Sequence, residues 1–292
     1  MIIEELYTRS KSKFRFLLKW FKSLIFGQIF KHKFRRVTSI CLFIGYPRSG
    51  HSLIASLLDA HPNMVMAMEW DLLSHFRMGF SKNQIYYSLL RNANLYAKRK
   101  KNIWTGYSYR VDGLWQGRHE TIKMIGDKLG GRNSMLLQDN FSIMERLHST
   151  LNVPIKLIHV IRNPFDTITT MTLRSIEKKD HPDRMDPILM LPFIKLYFDR
   201  VDVVKSLKES NRHEIFDLYH EQFLENPKNG LEELLNFLEL EVTENYLDRC
   251  VKIVFREPRR SRQKIEWPQE LKDFVQNKMN TYDFLKIYSF ET

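Results

Sequence analysis

At 292 residues, 43% apolar and 27% charged, the chain can bury a sizeable core and has neither the composition of a disordered tail nor that of a membrane-buried polypeptide. Cys41 and Cys250 lie far apart and follow no metal or redox spacing, which excludes a secreted disulfide framework and makes a reducing, cytosolic setting the expectation. The net charge of +12 is lopsided: residues 1–40 carry +8, so the body is nearly neutral and lacks the basic surface of a nucleic-acid binder.

The first segment in chain order, residues 1–37, is a basic amphipathic arm. Phe14–Phe30 reads FRFLLKWFKSLIFGQIF, with Arg15, Lys19 and Lys22 on one side of a helix and apolar residues around most of the rest. Its longest charge-free run, Ser23–Phe30, is eight residues, against the roughly 20 needed to span a bilayer. No small-residue cleavage site follows an apolar core, so a signal peptide is not expected. Two readings stay open. One is a helix packed on the domain or on a second copy; the other is an amphipathic helix lying on an anionic membrane surface through residues 11–36.

Residues 38–292 read as one domain, without repeats or linkers. Ile40–Ile44 predicts a strand, followed by a Gly-Pro loop and the helical run SLIASLLDA. Val65–Ala67 predicts a second strand, 82–101 a helix, and 102–120 an aromatic loop with Trp104, Tyr107, Tyr109 and Trp115. Thr121–Ile125 predicts a third strand ending in G-D-K-L-G-G, and Ser134–Leu151 a helix. Ile155–Ile161 is apolar on both sides, as a fully covered parallel strand should be. A helix is predicted after Arg162 and another over about Asp186–Lys208. Ile215–Leu218 predicts the fifth strand, and Gly230–Leu238 a last amphipathic helix. Strands alternating with helices give an α/β, three-layer P-loop-type fold, with a central parallel sheet of about five strands flanked by helices.

In such a sheet, ligands bind beyond the carboxyl ends of the strands. After the first strand comes I-G-Y-P-R-S-G-H-S, with Gly45 and Gly50 at the spacing of a Walker loop but His51 where its lysine belongs. A helix starting there offers the N–H groups of Gly50, His51 and Ser52 to an anion, and Arg48 adds a charged fork. Glu69 and Asp71 follow the second strand, where a carboxylate can act as a general base or simply cap a helix. Asp127 and Lys128 follow the third. Arg162-Asn163-Pro164 starts a helix after the fourth, with Thr170 about two turns in. Arg256–Lys264 holds five cations in nine residues, either a solvated run or a basic loop over a second phosphate.

Together these residues resemble the 3′-phosphoadenosine 5′-phosphosulfate (PAPS)-dependent sulfotransferase family. Pro47-Arg48-Ser49-Gly50-His51-Ser52 is similar to its first motif, P-[RK]-[ST]-G-[TS]-[TS], and Arg162-Asn163-Pro164 with Thr170 to its Arg-[DN]-Pro turn with a serine eight residues on. D-A-H-P at 59–62 followed by Glu69 resembles the tyrosylprotein and bacterial branches, in which a glutamate here is the catalytic base. Gly126-Asp127-Lys128 resembles G-[DE]-K-T-P, with Leu129-Gly130 for Thr-Pro, and His220-Glu221 through Pro227 resembles Y-E-D-L-x-x-x-P. His51, Thr170 and His220 depart from the family's hydroxyl residue, serine and tyrosine.

The resemblance implies sulfuryl transfer from PAPS to a hydroxyl or amine, without a metal. Glu69 would be the general base, with Asp71, His51 and His61 in reserve, and Arg48 and Lys128 would stabilise charge on the transferring group. The loop 49–52, with Ser49, would hold the 5′-phosphate. Arg162, Thr170, Arg259, Arg260, Ser261 and Arg262 would hold the 3′-phosphate, with Ser261 also donating to the bridging oxygen and His220 contacting the nucleotide. The acceptor is a small molecule, carbohydrate or lipid, its pocket shaped by 102–120 and 174–186. A nucleotide kinase and a non-catalytic membrane-associated protein are the alternatives. A cytoplasmic protein, peripheral at a membrane, is the expected location.

Overall fold

Apolar runs bounded by turns fold as strands, and amphipathic runs cover them. The computed structural model describes residues 2–99, 103–104, 107–177 and 187–292, with side chains at 16–99, 108–177 and 187–292. Helix α1 (Ile2–Ile29) leads into strand β1 (Ser39–Ile44), α2 (His51–Asp59), β2 (Met64–Met68), α3 (Leu72–Arg77) and α4 (Lys82–Ala97). A two-stranded pair, β3 (Ile103–Trp104) and β4 (Tyr107–Ser108), precedes β5 (Met124–Lys128), α5 (Gly130–Asp139), α6 (Ser142–Leu151) and β6 (Ile155–Ile161). Then come α7 (Pro164–Glu177), α8 (Leu191–Ser210), β7 (Glu214–Tyr219), α9 (His220–Glu225) and α10 (Pro227–Phe237). The chain closes with α11 (Glu244–Val251) and α12 (Gln269–Met279).

The main sheet has five strands in the order β2-β5-β1-β6-β7, all parallel. β1 lies at its centre and is buried along its whole length. Because successive side chains of a strand point to opposite faces, Ile40, Leu42 and Ile44 feed one core while Cys41 and Phe43 feed the other. The first core is closed by α4, α5, α6 and α8, the second by α2, α10 and α11. This is the expected three-layer α/β fold.

Four boundaries differ from the sequence reading. The third long strand begins at Met124 rather than Thr121 and runs through Gly126-Asp127-Lys128. Its polar end is held in the sheet by β1 on one side and β2 on the other. The helix expected over Ser134–Leu151 is two, α5 and α6, broken at Asn140 where the backbone is extended (φ −160°, ψ 89°). The helix expected over 82–101 ends at Ala97. Gly230–Leu238 falls in α10, which is not the last helix. The side chains of Trp104 and Tyr107, and residues 178–186 of the segment expected to shape the acceptor pocket, lie outside the described residues.

From Phe16 to Phe30 the N-terminal segment packs on α4. Gln84 Nε2 donates to the Trp20 carbonyl and to Ser23 Oγ, each at 3.2 Å, and Phe26 and Phe30 stack on Tyr87. Gly27 permits the approach, since a Cβ there would lie 2.8 Å from the Asn83 carbonyl oxygen.

Candidate active site

A cavity of about 420 Å³ opens beyond the carboxyl ends of β1, β2, β5 and β6. Its floor is the turn after β1. Gly45 and Gly50 are left-handed (φ 108° and 98°), conformations that cost glycine little. Arg48 between them is also left-handed (φ 70°), a strain of about 1–3 kcal/mol that the surrounding turn must hold. The Gly45 N–H donates to Ser134 Oγ at 2.8 Å, tying the turn to α5. Arg48, Gly50, His51 and Ser52 line the cavity. Ser49 does not: its hydroxyl donates inward to the Tyr46 carbonyl at 3.0 Å.

Two departures from the sulfotransferase pattern explain one another here. The His51 ring fills the space over Gly130, where a Cβ would come within 2.5 Å of it. A histidine in place of a hydroxyl residue is therefore accommodated by glycine in place of proline. Gly131 admits the Pro47 ring in the same way. Burial, with Lys128 nearby, lowers the His51 pKa to about 3, so the ring is neutral near pH 7. His220 packs against Gly50, is buried, and is likewise lowered to about 3.

One side wall carries Glu69. Its carboxylate accepts from Lys128 Nζ at 2.8 Å, and the same ammonium donates to Ser52 Oγ at 3.0 Å. Lys128 thus bridges the glycine turn and the acid, itself nearly buried while Glu69 is partly exposed. Glu69 and Asp71 both have left-handed backbones (φ 57° and 69°). What holds them is Asp127, whose carboxylate accepts from the Trp70 N–H at 3.0 Å and the Leu72 N–H at 2.9 Å. Asp127 is fully buried, and burial raises its pKa to about 6 against the pull of these backbone donors. Asp127 carries no expected role, although it stands inside the Gly126-Asp127-Lys128 motif at the polar end of β5.

Of the reserve bases, Asp71 caps α3 and pairs with Arg132 at 2.5 Å, off the cavity wall. His61 is also off the wall, its Nδ1 accepting from the Asn63 N–H and its Nε2 donating to the Glu241 carbonyl at 2.9 Å. His51 is on the wall, but burial lowers its pKa to about 3, which makes the ring a weak proton acceptor.

The opposite wall is built around Arg162 at the end of β6. Its Nη1 donates to the Arg48 carbonyl at 3.1 Å, and its Nη2 to the Arg259 carbonyl and Ser261 Oγ at 2.6 and 3.2 Å. Thr170 lines the cavity, with its hydroxyl donating to the Asp166 carbonyl at 2.7 Å. Arg259 and Ser261 line it too, but their neighbours in the basic loop do not. Arg260 is exposed and off the wall, and Arg262 turns into the protein. The Arg262 backbone N–H and Nη1 both donate to the Asp166 carboxylate, at 2.8 and 2.7 Å, with both side chains 2% exposed. Arg262, expected among the phosphate contacts, does not line the cavity and anchors the loop through Asp166, while its buried Nη2 has no hydrogen-bond partner.

Three buried polar atoms on residues of the wall have no protein partner: Arg162 Nε, His220 Nδ1 and His51 Nε2. A site lined by a glycine turn at a helix start, five arginines (Arg48, Arg132, Arg162, Arg174 and Arg259) and a lysine suits a ligand with several anionic groups.

Fold and site together define an α/β protein with an anion-binding turn at the central strand and a lysine–carboxylate pair beside it. The profile of the Sulfotransferase family matches residues 42–244, and the chain belongs to this family. No curated protein matches the chain in sequence. Among solved structures, the sulfotransferase domain of the Synechococcus PCC 7002 olefin synthase is 15% identical, with a TM-score of 0.51 over 85% of this chain and 96% of that one. The sulfotransferase domain of the curacin biosynthetic pathway is 13% identical, with a TM-score of 0.52 over 85% and 99%. A sulfotransferase from Mycobacterium avium is 12% identical, with a TM-score of 0.52 over 89% and 81%. At these identities the likeness establishes the fold.

Proposed function

We propose that the protein transfers a sulfuryl group from PAPS to a hydroxyl or amine of an acceptor. The observation that carries this reading is the Lys128 ammonium bridging Ser52 and Glu69, within one cavity that also holds Arg48, Arg162 and Ser261. The glycine turn from Arg48 to Ser52 suits the 5′-phosphate, and Arg162, Thr170, Arg259 and Ser261 suit the 3′-phosphate. The unpartnered Arg162 Nε and His220 Nδ1 fit a polar ligand against that wall.

In the reaction the acceptor oxygen or nitrogen forms a bond to sulfur as the bond from sulfur to the bridging oxygen breaks. The departing electron pair goes to the donor's 5′-phosphate, and the acceptor proton goes to Glu69. Arg48 and Lys128 stabilise charge on the sulfuryl and bridging oxygens, and prepositioning means that they need not reorganise during the step. Ser261 donates toward the bridging oxygen. A kinase-like triphosphate site is disfavoured because a neutral, buried His51 occupies the place of the phosphate-binding lysine. The acceptor is a small molecule, carbohydrate or lipid.

The test is incubation with sulfur-labelled PAPS and separated aqueous and lipid extracts. Labelled product formed by the wild type and lost in E69A supports the reading, whereas equal labelling by both removes Glu69 as the base.

A further inference from the structure

The N-terminal helix has a second apolar face that the fold does not use. From Phe16 onward its inner face, with Phe16, Trp20, Ser23 and Gly27, lies against α4 and the turn before it. On the other side Leu17, Leu18, Phe21, Ile25 and Ile29 stand in solvent, each 43% to 58% exposed. Their spacing makes one continuous helical stripe. A folded monomer rarely leaves such a stripe uncovered.

The charges around the stripe select its occupant. Between Phe16 and Thr38 the chain has six cations, Lys19, Lys22, Lys31, Lys33, Arg35 and Arg36, and no acidic residue. Lys19, Lys22, Lys31, Arg35 and Arg36 are exposed. Lys22, one turn beyond Leu18, borders the stripe, and the later cations continue past its end. A second copy of the chain docked on this face would bring two cationic borders together with no acid between Phe16 and Thr38 to pair with them. A bilayer with anionic headgroups satisfies both features: apolar side chains enter the acyl boundary while lysine and arginine meet the headgroups. No described helix is long and apolar enough to cross a membrane, so such a contact lies in the plane of the surface.

We propose that the outer face of α1 docks the protein on an anionic membrane surface, with Phe21 and Ile25 at the centre of the contact and Lys19 and Lys22 beside it. This contact is independent of the chemistry assigned to the cavity.

Full-length protein would be sedimented with phosphatidylcholine vesicles and with vesicles also containing phosphatidylglycerol. Binding should be at least about tenfold tighter to the anionic vesicles and weaken as salt is raised. The double variants F21E/I25E and K19E/K22E should each lose most of that binding while keeping wild-type thermal unfolding, since all four side chains are exposed. Equal binding to neutral vesicles, no binding to anionic ones, or full binding by F21E/I25E would overturn the proposal. So would a wild-type dimer in light scattering that F21E/I25E converts to a monomer, because a second copy would then cover the stripe.

Discussion

On one wall of the cavity, Asp127 holds the Glu69 segment through backbone N–H groups; on the other, Asp166 holds the 259–262 loop through a backbone N–H and a guanidinium together. Burial pushes both carboxyls up, but the guanidinium groups of Arg162 and Arg262 pull Asp166 back, whereas dipoles alone oppose the rise at Asp127. The Arg162 wall is therefore an ion-pair structure, costly to break. The Glu69 wall is a dipole clamp that can be loosened by a single proton. The difference suits the two proposed tasks: the first wall holds a multiply charged nucleotide in place, and the second aims one carboxylate.

The largest expected effect falls on that carboxylate. E69A should lower turnover by about 10² to 10⁴-fold while leaving affinity for adenosine 3′,5′-bisphosphate within about threefold, measured by product release and by calorimetry. On the other wall, D166N leaves Arg262 buried without its partner and should cost about 3–5 kcal/mol in urea unfolding, with weaker bisphosphate binding. If D166N unfolds like the wild type, the wall is not held by its ion pair.

D127N should be milder and different in kind. Its amide keeps one acceptor for two N–H donors, so the rate should fall about tenfold, as for one lost buried hydrogen bond, with bisphosphate affinity unchanged. Because the wild-type carboxyl titrates near 6, the clamp weakens as pH drops through that value. The pH–rate profile of D127N should lack this step. An identical acid limb in both proteins would make Asp127 merely structural.

The two neutral histidines allow a smaller test through stability. Their pKa values are lowered from 6.5 to about 3. The stability that they contribute is therefore present above pH 6.5 and lost as pH falls toward 3, at about 1.4 kcal/mol per pH unit for each. H51T should unfold with a shallower acid-side loss by one proton's worth between pH 6 and 4, measured in urea. R260A should change neither stability nor binding beyond about 0.5 kcal/mol, as for an exposed side chain away from the wall.

The alternation of strands with helices and the motifs at the strand ends were legible in the sequence because the apolar runs of β1 and β6 and the glycines at 45 and 50 are local signals; the order of the strands in the sheet was not. The end of β5 was not, because Gly126-Asp127-Lys128 is polar for the sake of the cavity and is strand only by virtue of its neighbours. Nor could spacing decide which members of the 256–264 run face inward: Ser261 and Arg259 reach the cavity while Arg262 is claimed by Asp166, almost a hundred residues earlier. The fit of His51 over Gly130 is likewise a contact between distant positions, each of which looked like an isolated departure from the family pattern.

The central claim is a site for a nucleotide bearing both a 5′- and a 3′-phosphate. Its most direct test is calorimetric titration with adenosine 3′,5′-bisphosphate, 5′-AMP and magnesium ATP in turn. Tight binding of the bisphosphate without metal, collapsing for 5′-AMP and weakened by R162A, is the predicted result. Preference for magnesium ATP, or no binding of the bisphosphate, would contradict the proposed donor while leaving the fold and family unchanged.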